Sequence, residues 1–205
     1  MTKIKICGLS READICAVNE YLPDYIGFVF AKSKRQLSIN QAKPLKKLLN
    51  PKIQAVGVFV NEPIESLISF EKEQVIDMVQ LHGDEDEEYI RILKTKIKLP
   101  IIKAIRVKDK LDIKQAFAAD FVLFDKYVKD VYGGAGESFD WRMIEDVRIP
   151  YFLAGGIHLD NIQEALKRAP YAIDISSGVE TDGVKDREKI FKIMGIIKEH
   201  NNKNQ

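Results

Sequence analysis

Cysteine is scarce: Cys7 and Cys16 are the only two in 205 residues. Two thiols cannot make a disulfide framework in a chain this long, so reduced thiols and a cytoplasmic protein are expected. Histidine is almost as rare, at three, and no His, Cys and Asp spacing typical of a metal site occurs. Neither sign of charge is in excess, with 32 basic and 31 acidic residues, which argues against a nucleic-acid or membrane partner. No apolar run approaches the roughly 20 residues of a membrane span. The opening MTKIKICGLS lacks a signal-peptide core, because Lys5 breaks its apolar run. Low complexity is confined to HNNKNQ at 200–205, expected to be a frayed tail after a single domain over 1–199. A G-x-G-x-x-G fingerprint is also missing after the first strand pattern, where Cys7-Gly8-Leu9-Ser10 stands instead.

What is present is a strict alternation. The apolar share, 45%, is that of an ordinary globular protein. Short apolar strands are predicted at 3–7, 25–30, 54–60, 75–81, 101–106, 121–125, 151–154 and 171–175. Helical patterns separate them. The first runs to about residue 21 behind Ser10, with Ala13, Cys16 and Ala17 on its core face. Ser38 and Gln41 form a capping box for a helix over 43–49, and Pro63 starts one that reaches about residue 72. Others are predicted at 85–96, 111–119, 141–147 behind Asp140, 159–168 and 186–199. Eight such strand–helix units argue α/β architecture closed into a single (β/α)8 TIM barrel, with an open doubly wound sheet as the alternative.

In such a barrel the residues that follow the strands line one mouth. They are Cys7, Arg35, His82, Arg106, Asp125 and two small-residue turns, Gly155-Gly156 and Ser176-Ser177-Gly178. The two turns come after strands seven and eight, where exposed backbone N–H groups commonly bind phosphate. Each side chain also has a plainer reading. Cys7 suits a small core position, Arg35 a solvated basic loop, and His82 a bond to its own turn. Asp125 closes the apolar run FVLFD, where a carboxylate is costly unless it is paired or functional. The glycines at 133–136 suggest a lid or a close backbone approach.

An ordered set of motifs then carries a resemblance over nearly the whole chain. They are Lys5-Ile6-Cys7-Gly8, Gly27-Phe28-Val29-Phe30 with Ser33-Lys34-Arg35, Val56-Gly57-Val58-Phe59, Gln80-Leu81-His82-Gly83, Gly133-Gly134-Ala135-Gly136 with Phe139-Asp140-Trp141, Leu153-Ala154-Gly155-Gly156-Ile157, and Asp174-Ile175-Ser176-Ser177-Gly178-Val179-Glu180 with Gly183, Lys185 and Asp186. The chain resembles the phosphoribosylanthranilate isomerases of tryptophan biosynthesis. It departs from their pattern at Lys34, where proline is usual, and at Ala135, where threonine is usual.

The resemblance implies an Amadori rearrangement of N-(5-phosphoribosyl)anthranilate to 1-(2-carboxyphenylamino)-1-deoxyribulose 5-phosphate by general acid and base. It implies Asp125 as acid and Cys7 as base. It also implies substrate binding by Arg35, His82, Gly155, Gly156, Ser177 and Gly178. No metal or organic cofactor is implied, because the substrate nitrogen serves as electron sink. The expected partner is a small phosphorylated substrate, with monomer and homodimer both open. A base of this type is helped when neighbouring cations lower the thiol toward neutrality. Indole-glycerol-phosphate synthase would want a strand-end lysine, and a sugar-phosphate epimerase metal-binding histidines and carboxylates. A non-catalytic phosphate sensor would lack the acid or the base, and the related Amadori substrate of histidine synthesis stays open as a second substrate.

Overall fold

The structure, a computed structural model, describes residues 1–109, 118–127, 138–144, 147 and 149–204. Eight parallel strands close into one barrel in chain order. They are β1 (Lys3–Cys7), β2 (Tyr25–Val29), β3 (Gln54–Phe59), β4 (Met78–Leu81), β5 (Ile101–Val107), β6 (Phe121–Lys126), β7 (Tyr151–Leu153) and β8 (Ala172–Ile175). Closure comes from β8 pairing with β1, in register from Lys3↔Ala172 to Ile6↔Ile175. Outside the barrel lie α1 (Glu12–Tyr21), α2 (Ile39–Leu48), α3 (Ile64–Lys72), α4 (Glu87–Lys94), α5 (Ile162–Leu166) and α6 (Arg187–Lys203). A small hairpin of β9 (Glu180–Thr181) and β10 (Val184–Lys185) follows β8, and no sequence pattern announced it. Among the described residues no helix is long and apolar enough to cross a membrane.

The strand pleat divides the side chains into two sets. One set, including Ile4, Ile6, Ile26, Phe28 and Leu81, packs with the helices in the main core. The other set, including Val56, Met78, Ile102, Leu123 and Phe152, forms a separate apolar cluster. Burying such a side chain contributes about 1.5–3 kcal/mol each. At the strand starts Tyr25, Phe121, Phe152 and Tyr171 pack ring on ring. The Tyr25 and Tyr171 hydroxyls meet at 3.0 Å, and Lys3 Nζ lies 5.1 Å from the Tyr171 ring centroid. That end is plugged by aromatics, and the polar buried groups collect toward the other end.

Local details differ from the sequence reading in instructive ways. Cys16 is exposed, because α1 turns Asp14, Ile15, Ala17 and Val18 inward instead. Asp14 is buried because its carboxylate accepts the N–H groups of Ser10 and Arg11 at the helix start, so the cap comes from Asp14 and not from Ser10. The Ser38–Gln41 capping box forms as expected, but α2 begins directly behind it. The final helix passes residue 199 and reaches Lys203. Asn201 there exchanges hydrogen bonds with both backbone groups of Thr2. Most of the expected helix at 111–119, the glycines at 133–136 and part of the helix at 141–147 lie outside the described residues. Of the last, Trp141–Ile144 forms a 3-10 turn.

Candidate active site

Cys7 is the last residue of β1, and the pleat that turns Ile4 and Ile6 outward turns Lys5 and Cys7 inward. Its Sγ fits because β2 carries Gly27 opposite it; a Cβ on Gly27 would come within 2.5 Å of the sulfur. Its carbonyl accepts a hydrogen bond from Ser176 Oγ at 3.1 Å. Burial pushes the Cys7 thiol up from its ordinary value. Lys5 and Lys185 pull it down and Asp174 pushes it up, and burial prevails. The two lysines moderate the thiol without bringing it to neutrality.

Arg35 lies in the loop after β2 and reaches back over the mouth. Its Nε and Nη2 grip Glu180 in a forked pair of 2.8 and 2.6 Å. Lys185 Nζ holds the same carboxylate at 2.6 Å and donates to the Ser176 carbonyl at 2.9 Å. Burial would raise the Glu180 carboxyl, but hydrogen bonds from Arg35 and Lys185 carry it below its ordinary range. Burial lowers the Lys185 ammonium even against the Glu180 charge. Glu180 takes one edge of the guanidinium, so the Nη1–Nη2 edge is the one left to meet a second carboxylate.

Across the mouth, Asp125 near the end of β6 is only 6% exposed. One carboxyl oxygen accepts the Lys126 N–H at 2.8 Å. The other lies 3.2 Å from His82 Nε2. The contact is an ion-pair approach, and among the described residues Nε2 has no hydrogen-bond partner. The turn carrying His82 is clamped from below. The Glu85 carboxylate accepts the Asn61 and Gly83 N–H groups and pairs with Lys103 at 2.7 Å.

The two small-residue turns come together only in part. Gly156, Ser177 and Gly178 line one hollow of about 320 Å³ with Ile157, His158 and Lys189. The turns can approach because residue 178 has no side chain; a Cβ there would collide with the Ile157 carbonyl oxygen. Gly155 stands apart from the hollow, against Asp125 and Lys126, where a positive φ of 85° suits glycine. Arg106 does not join the mouth group either. It pairs with Asp84 and lines a separate cleft of about 450 Å³ with Lys108 and Tyr127. A Gly178→Ala protein is expected to force the two turns apart while the barrel stays closed, and to weaken inorganic phosphate binding by about tenfold or more, roughly the loss of one charge-assisted hydrogen bond. Calorimetric titration with phosphate checks this, and unchanged affinity would place the anion elsewhere.

Sequence reasoning placed Gly27, Glu180 and Lys185 in family-like motifs but gave none of them a role in this arrangement. The signal for the last two was faint: a carboxylate and a lysine five residues apart, just beyond a phosphate-type turn.

Residues 4–195 match the family described as N-(5'phosphoribosyl)anthranilate (PRA) isomerase. The chain is 52% identical over 199 residues to the N-(5'-phosphoribosyl)anthranilate isomerase of Endomicrobium trichonymphae, covering 97% of this chain and 99% of that one. It is similar to the crystal structure of phosphoribosyl anthranilate isomerase from Thermotoga maritima, with TM-score 0.85 and 33% identity over 97% of this chain and 99% of that one. It is also similar to a crystal structure of such an isomerase in complex with reduced 1-(o-carboxyphenylamino)-1-deoxyribulose 5-phosphate. The TM-score there is 0.83, at 32% identity over 97% of this chain and 99% of that one.

Proposed function

The chain belongs to the phosphoribosylanthranilate isomerase family, and from that premise we propose how its barrel mouth does the chemistry. The protein isomerises N-(5-phosphoribosyl)anthranilate to 1-(2-carboxyphenylamino)-1-deoxyribulose 5-phosphate in tryptophan biosynthesis. One observation carries the mechanism. In the closed barrel β7 and β8 lie between β6, which bears Asp125, and β1, which bears Cys7. A phosphate held by the turns after β7 and β8 therefore lies between acid and base, and the attached ribose extends into the mouth they share.

Asp125, as a carboxylic acid, gives its proton to the ribose ring oxygen. The bond from that oxygen to C1 breaks, and the anthranilate nitrogen supplies the electron pair that forms the iminium. Cys7, as thiolate, takes the C2 proton. The C2–H electrons form the C1–C2 double bond of an enolamine, and the iminium nitrogen receives the displaced pair. Loss of the enol proton and protonation at C1 then give the ketone. The backbone N–H groups at Gly156, Ser177 and Gly178 hold the phosphate, with Lys189 at the rim. His82 and Gly155 border the acid. Arg35, already steadied by Glu180, offers its open edge to the anthranilate carboxylate.

Loss of anthranilate-type fluorescence when purified protein meets phosphoribosylanthranilate tests this reading. Persistent fluorescence together with tight phosphate binding would make the barrel a sensor. Arg35→Met is expected to lower kcat/KM by about 10²-fold, the scale of a lost bidentate ion pair. The loss should shrink for an analogue without the ring carboxylate, and equal losses for both would make Arg35 structural.

A further inference from the structure

Between Cys7 and Asp125 runs a line of buried polar groups that the reaction as described does not use. Lys5 is 0% exposed. A buried unpaired ammonium costs several kcal/mol, and Lys5 avoids this by pairing with a carboxylate and an amide oxygen. Nζ bonds Asp174 Oδ2 at 2.9 Å and Gln80 Oε1 at 2.8 Å. Burial, the largest single effect, would lower the Lys5 ammonium, but the neighbouring Asp174 and Cys7 together outweigh it and hold Lys5 above its ordinary value, protonated. On β4, Gln80 is two residues before His82, so both side chains face inward. Gln80 Nε2 meets His82 Nδ1 at 2.8 Å. His82 Nε2 faces Asp125 at 3.2 Å.

The donors and acceptors in this line admit one arrangement. An ammonium can only donate, so the amide atom facing Lys5 is the oxygen. The amide atom facing His82 is then the NH₂ group, which can only donate. Nδ1 must accept, so the imidazole proton is on Nε2. An imidazolium would set N–H against N–H at Nδ1, and a flipped amide would set NH₂ against NH₃⁺ at Lys5. We propose that Lys5 and Gln80 are positioning residues that lock His82 as its neutral Nε2–H tautomer facing the carboxyl of Asp125.

The lock matters because of what stands beside the acid. A neutral N–H dipole beside the carboxyl stabilises the carboxylate formed after proton transfer without adding a full charge. A full positive charge in the same place would favour the ionised carboxylate throughout and leave less acid to give its proton. The proposal rests on Asp125 being the acid, but its test does not.

Nitrogen NMR of imidazole-labelled protein reads the tautomer without substrate. In a His158→Gln/His200→Gln background, His82 is the only imidazole. The expected spectrum has a protonated Nε2 and an unprotonated Nδ1. In Gln80→Glu the new carboxylate accepts from Lys5 and from Nδ1, so a proton should move onto Nδ1. Measured in the otherwise native protein, Gln80→Glu should lower kcat by about tenfold or more, part of the 10²–10⁴-fold a positioned acid supplies, with KM nearly unchanged. Gln80→Met fills the volume with no partner for Nδ1 and should give a mixture of tautomers. A protonated Nδ1 in the Gln80 protein overturns the proposal, whether or not either variant folds. A Gln80→Glu protein that keeps the Nε2–H signature also overturns it. An active Asp125→Asn protein with the expected tautomer would instead refute the acid assignment and leave the lock in place.

Discussion

Asp125→Asn is expected to lower kcat by about 10²–10⁴-fold, the usual contribution of one positioned acid. The amide keeps the shape of the carboxyl, and its oxygen can still accept the Lys126 N–H that Asp125 accepts now at 2.8 Å. It cannot deliver a proton to the ring oxygen. The hollow at Gly156, Ser177 and Gly178, proposed to hold the phosphate, does not include residue 125, so KM and the affinity for inorganic phosphate should change little. This split is the diagnostic. A general collapse of the mouth would weaken binding as well, whereas loss of the acid alone lowers turnover at constant binding. Steady-state kinetics across pH, with phosphate titration in parallel, decide the matter. An Asp125→Asn enzyme within a few fold of native kcat would remove Asp125 from the proton-transfer role.

Cys7→Ala is expected to have an effect of the same size, about 10²–10⁴-fold on kcat. The change removes the only group at the end of β1 that can take a proton. It leaves a small space beside Gly27, where the sulfur now fits closely. Cys7→Ser keeps the volume and should be nearly as inactive, because a hydroxyl is a far weaker base than a thiolate. The environment also fixes a direction with pH. Burial raises the thiol above its ordinary value despite Lys5 and Lys185, so thiolate is the minority form at neutral pH. Its share grows about tenfold per pH unit until the thiol titrates. Alkylation of Cys7 in a Cys16→Ser background should follow that slope through the neutral and mildly alkaline range. A rate already flat at neutral pH would mean that the lysines outweigh burial.

The pattern of the chain carried the barrel because each strand is a short apolar run and each link has a helical period or a cap. It carried Cys7, Asp125 and the small-residue turns because the barrel rule assigns strand ends to the mouth. The interior line of Lys5, Gln80 and Asp174 was hidden by the same alternation that marks a strand. Lys3-Ile4-Lys5-Ile6-Cys7 reads as one apolar face and one solvated face, yet the second face of β1 points into the barrel. Only closure, with β8 and β4 bringing Asp174 and Gln80 to Lys5, makes that position tolerable for an ammonium. Glu180 was obscure for a related reason. Its partner Arg35 is 145 residues away, and no local period links them. Cys16 misled because Ala13, Cys16 and Ala17 offer a plausible small-residue stripe, while the actual core face is set by Ile15 and Val18.

The most direct test of the central claim, that the Cys7 thiolate removes the C2 proton, is release of tritium from phosphoribosylanthranilate labelled at ribose C2. The native protein should release tritium to water in step with product formation. Cys7→Ala should release it at least about 10²-fold more slowly while still binding phosphate. Tritium release by Cys7→Ala at the native rate would contradict the account, because the base would then be another group.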